Sequence, residues 1–405
     1  MAWARRMTGA TGAAILLAGI LFSVGSLRTG HGQETAEARF GSPLPGITAQ
    51  EFERFRVGLE DFLEVEEAEE GLGPVFNGRS CAECHNIPAV GGGGTILEFR
   101  AGRRDGDGNF DPLPGGSLFQ LFSIPPHTCQ ERIPAEANVV APRKSIPLFG
   151  AGLVEAIPDQ ALAALADPDD RDGDGVSGRV HWVVDAATGS TRAGRFGWKA
   201  QQATLLTFCA EAYLEEMGIT NELFPQENAP NGDGELLLRC LPIRRVRRIE
   251  DIPDPFTGLR GIDNFEAFVR LLAPPPRGAI TDATRRGEQV FAEIGCAACH
   301  VPTLQTGASA NPVFDRRPVP LYSDLLLHDI GTGDGITQGD ARGEEIRTPA
   351  LWGLRARRGL LHDGSAATPE EAILRHQQEA VESQRRYLEL PAEDAASLLG
   401  FLGSL

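Results

Sequence analysis

Two short stretches place thiols and an imidazole at a spacing that supports covalent and metal chemistry: Cys81-Ala82-Glu83-Cys84-His85 and Cys296-Ala297-Ala298-Cys299-His300. Two thiols set this way add to the two vinyl groups of a haem, and the histidine beside the second thiol then meets the iron. A zinc site built from such pairs would bring its knuckles closer in sequence, and a redox dithiol needs no histidine after it. The pattern occurs twice, so the chain is expected to carry two covalent c-type haems. Cys81, Cys84, Cys296 and Cys299 make the attachments; His85 and His300 bind the irons.

The occupant of each iron's other face separates a carrier from a catalyst. Thr368-Pro369-Glu370-Glu371 reads as a capping box with proline at the first helical position. Ala372, His376 and Ala380 then share one face of the helix it opens, and His376 could reach the second iron. Spacing leaves open the alternative of a surface histidine on a charged helix. His127 and His181 are further candidates for the first iron. Asp170, Asp172, Asp174 and Gly175 match the opening of a calcium loop, where alternating carboxylates converge on a hard cation. The closing Glu is missing, with His181 at its place, and a plain acidic turn reads the same way. Asp105, Asp107 and Asn109 make a weaker second case.

The elements that must position these residues follow from periodicity. In Val75-Phe76 and Val290-Phe291 the Phe stands five residues before the first Cys of its motif, so two related modules are expected. Thr281 opens a helix with Gly287, Val290, Phe291 and Ile294 at helical spacing, and Ala395, Leu398, Leu399 and Leu402 share a face of a closing helix from Pro391. A helix before the haem-binding loop and another at the C-terminus is the layout of a small cytochrome c domain, which this half resembles. Gly91 to Gly94, Pro112, Pro114, Pro125 and Pro126 break any long helix in the first half, leaving loops and short hairpins. Ala273-Pro274-Pro275-Pro276-Arg277-Gly278 reads as a connector. The expected organisation is therefore an N-terminal leader or anchor over 1–38, a haem domain over 39–272, a linker over 273–280 and a second haem domain over 281–405.

In the leader, Arg5 and Arg6 precede an apolar stretch from Ala13 to Leu27, and Ala36-Glu37-Ala38 offers a small-residue cleavage site. Export to the periplasm is expected, with contact to the membrane only through an uncleaved N-terminal segment. An excess of 56 acidic over 38 basic residues in 405 gives a net charge of -18. That charge disfavours nucleic acid and attracts a cation or a basic protein. Of 7 cysteines, Cys129, Cys209 and Cys240 are spare, which allows at most one disulfide and one thiol; Cys209 with Cys240 is the pairing expected.

Beyond the haem motifs, GLGPVFNGRSCAECH, LFGAGLVEAIPD, GRFGWKA, EMGIT, LLLHDIG, IRTPALWGL, LLHDGSAATPEEAI and LLGFLGSL stand in order. With them the chain resembles the bacterial di-haem oxidoreductases. It is more distantly similar to di-haem cytochrome c peroxidases and to the enzymes that mature tryptophylquinone cofactors. The resemblance implies a mainly α fold of two cytochrome c-like domains, the first enlarged by loops and hairpins. It puts His376 where the peroxidases carry a Met ligand, implying a bis-His second haem of lower potential. It makes Glu216, in Glu216-Met217-Gly218, the acid beside the first haem, with Glu215 next to it. Phe208 stands near where the peroxidases carry a helper Gln. Trp198 matches the residue between the haems, and His328 and His362 match blocks that support propionates or loops. That family is often labelled thiol oxidoreductase, which raises a catalytic thiol that no residue pattern supports. The activity implied is peroxidase-like, with electrons passing from the second haem to the first. A periplasmic donor or acceptor, a small cytochrome or cupredoxin, is the partner. The competing class is a non-catalytic electron carrier with both irons six-coordinate.

Overall fold

Two helix pairs, one in each half, frame the haem motifs in the computed structural model, which describes residues 39–125, 127–241, 251–255 and 257–405. The expected leader lies outside these residues. The first helix, Ala49–Leu63, starts at a capping box in which the Thr48 side chain accepts from the Glu51 amide and the Glu51 carboxylate accepts from the Thr48 amide. It crosses the helix Gly261–Leu271 through Phe55, Phe62, Phe265 and Phe268, each buried. Burying each ring contributes on the order of 1.5–3 kcal/mol. Position 58 must be glycine for the axes to approach, since a Cβ there would fall 2.0 Å from the Asn264 carbonyl oxygen.

The second half repeats the device. Thr281 caps Asp282–Glu293, which packs on the closing helix Ala392–Leu402 through Val290, Phe291, Leu398 and Phe401. A Cβ on Gly287 would lie 2.0 Å from the Ser397 carbonyl oxygen. The Val-Phe repeat of the sequence, however, is not a structural repeat. Val75–Phe76 is a strand paired with Phe122–Ser123, whereas Val290 and Phe291 are helical. The counterpart of Phe291, whose ring lies 6.2 Å from that of His300, is Phe62, 6.3 Å from His85.

Among the described residues helix accounts for 32% and strand for 14%. The first half holds more than hairpins: Leu97–Arg104 is the centre of a four-stranded antiparallel sheet. Phe110–Pro112 and Leu118–Phe119 pair with one edge, and Val139–Lys144 with the other. In that register Glu98 stands opposite Arg143, and Arg100 shares the face of Glu98 because side chains alternate along a strand.

The largest hydrophobic cluster joins both halves, since Val313, Phe314, Leu321, Leu325 and Trp352 pack with the phenylalanines of the first helix pair. From Arg39 onward the chain is one compact unit. Among the described residues no helix is long and apolar enough to cross a membrane.

The expected Cys209–Cys240 disulfide is not formed: Cys240 bonds Cys129, their Cα atoms 5.9 Å apart. Asn231 draws the two segments together, its side chain accepting from the Arg132 amide and donating to the Arg132 carbonyl. Cys209 instead lies on the inner face of the helix Leu205–Met217 as a buried thiol, and burial pushes its pKa well up. Such a thiol is a poor nucleophile.

Candidate haem sites

Each motif opens onto its own cavity. The cavity beside Cys296 and Cys299 has about 1710 Å³ of empty space, including its open mouth, and the cavity beside Cys81 and Cys84 about 1300 Å³. Three histidines are prepared in the same way. His85 Nδ1 lies 2.8 Å from the Gly92 carbonyl oxygen, His300 Nδ1 3.0 Å from that of Tyr322 and His376 Nδ1 2.7 Å from that of Ala372. A carbonyl can only accept, so each ring is fixed with its proton on Nδ1 and its lone pair on Nε2, the form that binds a metal.

His300 and His376 line the same cavity. Burial, followed by the nearby His376, pushes the His300 pKa down to about 4. The expected continuous helix beneath His376 is broken, however. The helix Pro369–Leu374, capped by Thr368 as expected, ends before it. A single 3-10 turn, Gln378–Ala380, follows, and the next α-helix starts at Val381. The chain leaves the helix because the amides of Gln377 and Glu379 bond to the carbonyls of Ile330 and Asp329, and Gln378 takes a positive φ of 48°. His376 thus stands just past the helix end, tied back to it through Ala372.

The second cavity's wall also fits the acidic groups of a haem. Arg347 is buried there and Arg357 half-buried, and burial holds each pKa down to about 10. Their hydrogen bonds run to backbone carbonyls, and the Arg357 Nε and His362 Nδ1 atoms are buried without a partner among the described residues. Buried polar atoms of this kind call for a partner, and the carboxylates of a haem would supply an acceptor to the Arg357 Nε donor. His328 plays another part, with both ring nitrogens taken, by Asp324 and by Glu379, each at 2.8 Å. Burial opposes its charge, but these carboxylates and the Cys299 thiol outweigh it and raise the pKa well above the usual histidine value. It ties the 324–329 segment to Glu379 rather than offering a lone pair.

Among the described residues the first cavity holds His85 but no second histidine. His127 is exposed outside it. His181 is buried elsewhere, with Nδ1 on the Lys199 carbonyl at 2.8 Å and Nε2 accepting from the Asp340 amide at 3.2 Å. What lines this cavity instead is a set of carboxylic side chains, Glu98, Glu211, Glu215 and Glu216, with Arg100, Arg143 and Gln201. Phe208 lines it as well. Glu216 receives a hydrogen bond from Asn77 Nδ2 at 2.7 Å. Burial and then the charge of Glu98 raise its pKa well above the ordinary carboxylate range. Burial works on Glu98 in the same direction, but Arg100 and Arg143 outweigh it and hold its pKa below the ordinary value. Glu211 is pushed up to about 8 by burial and by Glu215. Sequence reasoning reached Glu216 and missed Glu98 and Arg143. The signal was the Glu-x-Arg alternation in Leu97–Arg104, which a strand turns to one side.

Trp198 borders both cavities, as do Lys144, Ser145 and Ile146. Its Nε1 donates to the Lys144 carbonyl at 2.7 Å, and its ring lies 6.3 Å from that of His362. A buried ion triad brackets this bond. Asp334 pairs with Arg143 at 2.6 Å and with Lys199 at 3.0 Å, residues that flank Lys144 and Trp198 in sequence. The Lys199 ammonium also donates to the carbonyls of Arg342, Gly343 and Glu345. The wall between the cavities is therefore pinned from both sides.

Asp170, Asp172 and Asp174 bring carboxylate oxygens within 4.8 Å of one another. His181, the residue at the closing position, takes no part, both its nitrogens being engaged elsewhere. Asp105 is occupied within its own turn by the amides of Asp107 and Asn109.

The profile of the family described as "di-haem oxidoreductase, putative peroxidase" matches residues 128–405, a span that holds the second motif and not the first. The cytochrome c peroxidase Ccp of Escherichia coli is 25% identical over 209 residues, 48% of this chain and 43% of that protein. This chain therefore aligns with less than half of the curated relative's length. Among solved structures, the hydrazine synthase of Kuenenia stuttgartiensis is 16% identical with a TM-score of 0.40, covering 97% of this chain and 100% of that one. The di-haem peroxidase BthA of Burkholderia thailandensis is 13% identical with a TM-score of 0.40, covering 87% and 86%. With the family profile matching more than half of its length, this chain belongs to the di-haem oxidoreductase family.

Proposed function

We propose that this protein is an exported di-haem c-type oxidoreductase that reduces peroxide at its first haem site with electrons received at its second. The carrying observation is the unequal pair of cavities: His300 and His376 line one, while His85 and Glu216 line the other. Haem, when bound, supplies one-electron chemistry at both sites and a coordination position where a face is left open. Cys81 and Cys84, and Cys296 and Cys299, would hold the two groups. His300 and His376, which line one cavity, would both be available to hold the second haem's iron, an arrangement that suits electron exchange. Trp198, bordering both cavities, keeps them a side chain apart and is the relay in this reading. In the first cavity Asn77 orients the Glu216 carboxyl, which carries the proton that a departing oxygen needs. The net charge of -18 favours a small, basic periplasmic redox protein as donor.

A second reading has one observation behind it. Met217 also borders the first cavity, and its thioether could occupy the first iron, leaving an electron carrier. Cyanide binding to the oxidised, haem-loaded protein separates the two. Fast binding of one equivalent supports the open first site, whereas binding limited by slow ligand displacement at both irons supports the carrier.

A further inference from the structure

The sheet and the helix Leu205–Met217 come from separate parts of the chain, yet they bring two carboxyls together on one wall of the first cavity. Glu98 and Arg100, two apart on one strand, share a face, and Arg143 enters from the neighbouring strand opposite Glu98. Arg100 Nε donates to Glu98 Oε1 at 2.8 Å, and Arg143 Nη1 lies 3.9 Å from the same oxygen. Glu216 arrives from the last turn of the helix with its carboxyl within hydrogen-bonding reach of that of Glu98, and it is anchored by Asn77 Nδ2 at 2.7 Å. Both guanidiniums are thus on the Glu98 side and the neutral amide on the Glu216 side. Two half-buried carboxyls in contact ionise together only with difficulty, and the charge goes to the member that cations surround.

We propose that Glu98 and Glu216 hold a single proton between them, Glu98 as the fixed anion and Glu216 as the acid. Glu98 is then a positioning residue that sets the protonation state in which Glu216 works. This rests on the reading of the first cavity as the peroxide site, and it goes further by assigning the control of its acid to the sheet. The groups facing Glu216 are Glu98 and Arg100 from one strand, Arg143 from its neighbour, Glu211 and Glu215 from its own helix, and Cys81 and Cys84 from the attachment segment. The two thiols become uncharged thioethers once haem is attached. Arg143 continues into the triad with Asp334 and Lys199, which fixes its guanidinium where Glu98 needs it.

The test is infrared spectroscopy of the haem-loaded protein, following the carbonyl stretch of neutral carboxylic acids across pH in wild type, Glu216→Gln and Glu98→Gln. Subtracting the Glu216→Gln spectrum isolates the Glu216 band from that of Glu211. At pH 7 the wild type should show that band. In Glu98→Gln it should vanish at pH 7, because Glu216, relieved of the neighbouring charge and left facing two guanidiniums, ionises. Its midpoint should fall by at least about one pH unit, a tenfold change in proton affinity. An unchanged Glu216 band in Glu98→Gln, or no difference between wild type and Glu216→Gln, would overturn the proposal. If the bands respond as expected while the wild type reduces no peroxide, the carboxyl pair stands and the peroxidase reading falls.

Discussion

At the second motif two imidazoles, His300 and His376, face one cavity, each with its Nδ1 given to a carbonyl and its lone pair turned inward. At the first, His85 is prepared in the same way, but the opposite wall carries Glu98, Glu211, Glu215 and Glu216. The proximal halves are near copies, down to a phenylalanine ring 6.2–6.3 Å from each motif histidine. The distal halves share nothing. What differs is the elements brought in to close each cavity: a histidine just past the end of a short helix at one, and at the other a four-stranded sheet bearing alternating charges together with the carboxyls of the helix Leu205–Met217. Attachment chemistry is thus written in a local motif, while reactivity is set by what a distant segment contributes.

This contrast can be broken from either side. The largest effect should come from His376→Ala, which makes the second cavity resemble the first. The second iron should then take up cyanide rapidly, doubling the fast-binding stoichiometry in an optical titration, and added imidazole should restore the original spectrum. Next, Glu216→Gln removes the acid of the first cavity only, and should lower kcat/KM for peroxide by roughly 10²–10⁴-fold while leaving the second haem's spectrum unchanged. Asp334→Asn attacks the wall common to both. It leaves Arg143 and Lys199 buried without their shared carboxylate, which should cost about 3–5 kcal/mol of stability, read as a fall in the denaturant midpoint. The smallest effect should follow replacement of Cys129 and Cys240 by Ala. Losing that link should cost about 2–4 kcal/mol, seen in thermal unfolding, with the spectrum of the second haem retained in the folded state.

The parts legible in the sequence were those fixed within a few residues. The two Cys-x-x-Cys-His segments, the Thr281 and Thr368 caps and the closing helix after Pro391 are all local. Family resemblance added His376, Glu216 and Trp198, and the structure places each of them on a cavity wall. Long-range features were not readable. Glu98 reaches Glu216, and Arg143 reaches Asp334, only through strand register and the meeting of two halves. The Val-Phe repeat pointed to Phe76, but the ring that packs on His85 is Phe62, because the strand Val75–Phe76 turned that part of the sequence to another use. The Cys129–Cys240 bond depends on Asn231 drawing two segments together, and nothing in cysteine spacing encodes that. The helix under His376 stops early for a similar reason, its next amides being claimed by Asp329 and Ile330.

The most direct measurement is electron paramagnetic resonance of the oxidised, haem-loaded wild-type protein, quantified for spin state and set beside His376→Ala. One high-spin haem and one low-spin bis-His haem, the latter lost in the variant, is the result expected from unequal cavities. Two low-spin haems in the wild type, or a low-spin signal that survives removal of His376, would contradict it.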